Sequence, residues 1–134
     1  MAGARDTETW LDLRNSRTLA ITAATLFLAN LMLAPGFAFL ALLWLWRTTR
    51  NGAAPVARQH LDQAVRASIV GGCLLMITAL IAVFGGLHSA WTWVAVILYF
   101  TCVHSTLILL GVIALVQAIN DKPWRYPLIG GPRQ

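Results

Sequence analysis

Charge is what this sequence has least of. Charged residues make up 11% of its 134 residues, five acidic against ten basic, where a soluble domain carries about 25%. No carboxylate lies inside any apolar run, so the relay that proton-coupled carriers use within a membrane is missing. Cysteine is scarce too. Cys73 and Cys102 stand far apart inside apolar runs, which gives no zinc-type spacing. They read as small packing residues rather than a disulfide. No catalytic signature occurs, and the chain reads as a non-enzyme.

What is present is hydrocarbon. The hydrophobic fraction is 58% and the mean hydropathy +0.69. A small water-soluble domain leaves too much of its surface exposed to hide that much apolar side chain. Lipid is the solvent that fits. The net charge of +5 and pI near 10.3 do not point to nucleic acid. The cations flank apolar runs, where they set topology and meet anionic headgroups.

Residues 1–16 form a polar tail of mixed sign, read either as frayed or as a short surface helix around Trp10, Leu11 and Leu13. It is not cleanly basic, which argues against a signal peptide. A single membrane domain occupies 17–128, and 129–134 form a second tail. The first apolar run, about 18–46, is long for one span of about 20 residues and is interrupted near Pro35 and Gly36. Either one helix kinks there or two short segments turn back between Asn30 and Gly36. Asn30, a polar side chain in hydrocarbon, must face protein or water.

Charge favours the hairpin. It places Arg5, Arg14 and Arg17 on the same side as Arg47, Arg50, Arg58 and Arg66 and as Lys122, Arg125 and Arg133. Both termini are then cytoplasmic. Against it, two segments of about 14 residues hardly cross a core of about 30 Å.

Trp44, Trp46 and Arg47 mark a membrane interface. Asn51-Gly52 signals a turn and Pro55 a helix start. From about 55 to 66 the pattern is amphipathic: Leu61, Ala64, Val65 and Ser68 on one face, Arg58, Gln59, Asp62 and Arg66 on the other. This predicts a surface helix with an Asp62–Arg66 ion pair, leading directly into a span at 67–87. There Ala67/Gly71 and Ser68/Gly72 offer small-residue faces to a neighbouring helix. Gly85-Gly86 ends that span, Trp91 and Trp93 form an aromatic belt at the outer connection, and the last span is 92–119. Pro123 stops it before the basic, aromatic stretch Lys122–Tyr126.

Three histidines invite chemistry. His60 beside Arg58 could titrate near neutral pH, hold a lipid phosphate or dock a partner; in the plainer reading it packs at the interface. His104 lies deep in the last span, sharing a face with Thr101, Ser105 and Ile108 that should point at protein. It is the one candidate haem ligand, though a hydrogen bond to Ser, Thr or Asn30 is the plainer reading. His88 sits at the outer end of another span, not level with it. No metal-site spacing exists.

Pro35 before LWLWR, then ARQHLDQA leading into a span, then AINDKPWRYP, together resemble the Tic-Twenty-like family of small bacterial membrane proteins, named for a chloroplast inner-envelope import component. His60 and Ala64 match its His-x-x-x-Ala helix, and Pro123, Tyr126 and Pro127 its ending. The resemblance covers about 18–128. It departs at Val65, where the family has Asn, and in the charges of Asp62 and Arg66. It implies a four-segment helical membrane protein and, for plant members, a part in preprotein translocation.

The expectation is therefore an all-α integral membrane bundle with three to four membrane segments plus one amphipathic surface helix. It would lie in a bacterial inner membrane, multi-pass, with the C-terminus cytoplasmic. Its role would be that of a non-enzymatic accessory or scaffold subunit, with lipid, other membrane subunits or further copies of itself as partners. Alternatives are a translocation or small-solute channel component and a haem-binding redox subunit. Arg58, His60, Ala64, Trp124, Arg125 and Tyr126 are the candidate partner or lipid contacts.

Overall fold

The computed structural model describes residues 2–127, with side chains from residue 15 onward. The expected tail at 129–134 and the side chains of Trp10, Leu11 and Leu13 lie outside the described residues. Regular structure among those described is all helical: α1 (Ala2–Met32), α2 (Phe37–Thr49), α3 (Pro55–Phe84), α4 (Ala90–Leu98), a π-helical turn (Tyr99–His104) and α5 (Ser105–Ile119). The last three run on as one helix, Ala90–Ile119.

Two helices are long and apolar enough to cross a membrane, Pro55–Phe84 and Ala90–Ile119, each of 30 residues. At 1.5 Å per residue each reaches about 45 Å. Helix α2, with 13 residues, reaches only about 20 Å. The expectation of three to four spans thus reduces to two helices of membrane length plus a shorter apolar one.

Helix α1 is the hub. Ala20, Ala23, Ala24 and Phe27 are all buried, spaced i, i+3, i+4, i+7 on one face, and α1 packs against α2, α3 and α5. Helices that cross this tightly are held by close contact between backbones and small side chains. Small side chains make that closeness attainable: Ala20 meets Ala57 and Ala118 in one cluster, while Phe27, Leu42, Leu61 and Ala114 form another with Tyr126. Of the anticipated small-residue faces, Ala67, Ser68 and Gly71 are buried and Gly72 is exposed.

Between α1 and α2 the chain turns at Leu33–Gly36. Gly36 has φ +89°, a conformation that only glycine adopts readily. Every N–H of the turn is bonded: Leu33 and Ala34 to the Ala29 carbonyl, each at 2.9 Å, and Gly36 to the Asn30 side-chain oxygen at 3.0 Å. Pro35 has no N–H to satisfy. The polar side chain in the apolar run therefore caps the turn.

The surface helix expected at 55–66 is not a separate element. It is the first third of α3, and Ala57, His60, Leu61, Gln63, Ala64 and Val65 are all buried. Burial wraps around most of the helix because α1, α2 and the C-terminal segment enclose it. The Asp62–Arg66 pair does not form. Asp62 instead pairs with Arg50 at 3.4 Å and Arg58 at 4.0 Å and accepts the Trp46 indole N–H at 2.6 Å. Cys73 and Cys102 are free and exposed rather than packed. Thr101 and Ser105 are exposed too, against the expectation of an inward polar face. The reason is the π turn, which winds more residues per turn and rotates the helix beyond it; Ser105 Oγ donates back to the Phe100 carbonyl at 3.0 Å.

Candidate functional site

The polar chemistry concentrates where α3 begins and α5 ends. Helix α5 stops at Asn120, whose side-chain amide donates to the Val116 carbonyl at 2.8 Å. Asp121 takes a left-handed φ of +53°, and Lys122 N–H returns to the Gln117 carbonyl at 2.9 Å. Those two features reverse the chain, and Pro123 prevents the helix from resuming. Residues 122–127 then run back over the head of α3 as a strap.

Two side chains one turn apart on α3 hold it. His60 Nε2 lies 2.9 Å from the Lys122 carbonyl oxygen. A carbonyl only accepts, so the imidazole donates from Nε2. Gln63 uses both ends of its amide: Nε2 donates to the Trp124 carbonyl at 2.6 Å, and Oε1 accepts the Tyr126 N–H at 2.7 Å. A primary amide bridging a backbone acceptor and a backbone donor imitates a neighbouring strand. Tyr126 then turns its ring inward, edge-on to Phe27 with centroids 5.7 Å apart.

Of the anticipated contact residues, His60, Ala64 and Tyr126 are buried, Trp124 is half-buried, and Arg58 and Arg125 are exposed. The sequence reading missed Gln63, although it falls three residues after His60 on the buried face. It also missed Gly111. A Cβ built there would stand 2.7 Å from Leu28 Cδ2 and 2.8 Å from Phe27 Cε1. The stripe Gly111, Ala114, Ala118 at i, i+3, i+7 was a legible signal for that crossing.

Burial drives the Tyr126 phenol well above its ordinary pKa; the hydroxyl has no hydrogen-bond partner. An unfolded tyrosine ionises near 10, whereas the folded one must stay neutral. Stability from this ring is therefore complete below about pH 10 and is lost as pH rises beyond it. Tryptophan fluorescence in detergent should show the strap loosening above about pH 10. In Tyr126→Phe that alkaline transition should disappear, with stability at neutral pH unchanged because no bond is lost.

His104 has a buried Nδ1 without a partner, beside the rings of Phe100 at 5.4 Å and Tyr99 at 6.1 Å. It lies about 20 Å along the helix from the loop that carries His88. Among the described residues no three His, Cys, Asp or Glu side chains are grouped to hold a metal ion.

The architecture is that of a small helical protein with two helices of membrane length and a clasped C-terminal strap. Residues 15–132 match the magnetosome magnetite crystal formation protein family (MamF/MmsF), and the chain belongs to that family. No curated protein and no solved structure matches it. The match overturns the resemblance to the Tic-Twenty-like family. The residues that carried the resemblance serve as joints of the fold: Pro35 in the turn, His60 and Ala64 under the strap, Tyr126 in the core. Such joints report a shape, and a helical membrane protein of another family has use for the same shape.

Proposed function

We propose that this chain is a non-enzymatic, membrane-embedded component of magnetite crystal formation, working as a small scaffold or accessory subunit among other proteins of the magnetosome membrane. The observation that carries the reading is the family match over nearly the whole chain, joined to two apolar helices that present most of their length outward. Iron is here the material of the crystal and not a resident cofactor, and haem has no part.

The hairpin α1–α2 supports a definite topology. Its tip lies near the level of Gly71, whose added Cβ would stand 3.9 Å from Leu31. Helix α3 continues from there to Phe84, about 20 Å further. Leu33 and Phe37 at the tip are 83% and 81% exposed, and the turn's N–H groups are satisfied internally, as hydrocarbon requires. In this reading α1–α2 enters the bilayer and returns, α3 and Ala90–Ile119 cross it, and both termini are cytoplasmic.

Deleting the gene and measuring crystals by electron microscopy tests the role: altered size or shape is expected, and indistinguishable crystals would overturn it. A cysteine placed near residue 8 tests the topology; labelling from the non-cytoplasmic face would refute it. Native mass with an absorbance spectrum in mild detergent tests the rest. A defined complex well above 14.6 kDa without a Soret band is expected. A bare chain would remove the partners, and a Soret band would restore haem.

A further inference from the structure

We infer that the seam between α3 and the π turn with α5 binds one acyl chain of an anionic phospholipid, with Arg66 holding its phosphate. A groove of about 780 Å³ runs along this seam, walled by Ile69, Val70 and Leu74 on one side and Cys102 and Leu110 on the other, with Arg66 at one end. From Arg66 to Leu74 it extends about 12 Å along α3. Its walls are almost wholly apolar, and the helices that form them are those of membrane length. The surrounding solvent is then lipid.

Arg66 is what makes the occupant a lipid with negative charge. No Asp, Glu, Lys or Arg occurs from Ala67 to Asn120, so Arg66 stands at the boundary where hydrocarbon gives way to headgroups. It is exposed. The carboxylate one turn away, Asp62, is committed to Arg50 and Arg58, which leaves Arg66 without an acidic partner among the described residues. Pro127 of the strap borders the same groove, so the strap closes the headgroup end with Lys122 and Arg125 nearby in sequence. A cation lacking a protein counter-ion, directly beside an apolar slot at headgroup depth, is complementary to a phosphodiester bearing an acyl chain. A second copy of the chain is a poorer occupant: a symmetric contact brings two Arg66 side chains toward one seam that holds no carboxylate.

The inference rests on α3 and Ala90–Ile119 spanning the membrane, and is separate from the role in crystal formation. The probes are phosphatidylglycerol and phosphatidylcholine with identical acyl chains, added to delipidated protein in mild detergent and counted by native mass spectrometry. Wild type should bind phosphatidylglycerol about fivefold more tightly, the worth of one basic side chain at an anionic headgroup. Arg66→Gln should erase the preference, Arg66→Lys should keep it, and Val70→Trp, which fills the slot, should weaken both lipids. Circular dichroism checks that each variant keeps wild-type helicity. A preference that survives Arg66→Gln, or lipid binding indifferent to Val70→Trp, would refute the site. A wild-type dimer dissolved by Val70→Trp would assign the groove to a second copy. Extraction by alkaline carbonate separates the premises: release from membranes would remove the spans themselves, whereas retention without lipid preference removes the lipid site alone.

Discussion

Gly111→Ala is expected to destabilise the bundle by about 2 kcal/mol, although it adds one methyl group. The methyl would arrive 2.7 Å from Leu28 and 2.8 Å from Phe27, well inside contact distance. Leu28 has a free end that can swing aside. Phe27 is fully buried and holds Tyr126 edge-on, so its ring has nowhere to go and α5 must back away from α1. Every small-residue contact along that seam, including Ala20 with Ala118, then loosens together. Gly72→Ala is the matched control, since nothing lies within 4 Å of a Cβ there; it should stabilise by about 0.5–1 kcal/mol, the advantage of alanine over glycine inside a helix. Denaturation of both variants in mixed detergent micelles, followed by helicity, measures the difference. Equal stabilities would mean that α5 does not cross α1 as described.

Gln63→Leu is expected to release the strap and leave the bundle folded. The substitution strands the Trp124 carbonyl and the Tyr126 N–H, each costing about 1–3 kcal/mol when unpaired in a buried place. A strap of six residues that lies on the surface of α3 recovers most of that cost by swinging into water. The expected signature is new trypsin cleavage after Arg125 with unchanged helicity. His60→Ala removes a single bond and should expose the same site about fivefold less strongly, since one hydrogen bond is worth about 1 kcal/mol. Gln63→Glu discriminates further. Its carboxylate still accepts from Tyr126 but is a buried charge facing the Trp124 carbonyl oxygen at the 2.6 Å of the lost bond, so cleavage should match or exceed that of Gln63→Leu. Wild-type resistance in Gln63→Leu would show that the ring of Tyr126 alone secures the strap.

How far the fold was legible depends on the range of each interaction. Helix α3 and the helix Ala90–Ile119 were written in composition, because a run free of charge leaves little choice but hydrocarbon. The place of the first break was legible in Pro35 and Gly36, which act on their own backbone. The errors all concern partners. The pattern at 55–66 alternates polar and apolar as a surface helix does, yet Gln63 and His60 are polar because a strap crosses them, not because water does. Asp62 was assigned to Arg66 by spacing on one helix, whereas Arg50 and Trp46 reach it from another. The face drawn through Thr101 and Ser105 assumed 3.6 residues per turn, and the π turn does not keep that count.

The candidate contacts divide the same way. Arg58, His60, Trp124, Arg125 and Tyr126 stand out for polarity or aromaticity beside a membrane run, and Ala64 for the His-x-x-x-Ala resemblance. The fold draws His60, Ala64 and Tyr126 into its interior, and Gln63, the residue that bridges a backbone carbonyl and a backbone N–H, carried no local mark beyond its position. Family membership came from neither composition nor spacing. It came from the pattern of the chain taken over residues 15–132.

Solvent preference, helix-forming runs and chain-breaking residues are properties of single residues and near neighbours, so the order of residues was enough for an all-helical, membrane-class protein with a break at Pro35. Which helix is the hub, how Asp62 is paired, and what His60 and Gln63 hold depend on residues far apart in the chain meeting in space. Those contacts form only when α1, α3 and α5 pack as closely as their alanines and Gly111 allow, and that packing is decided by the whole bundle at once.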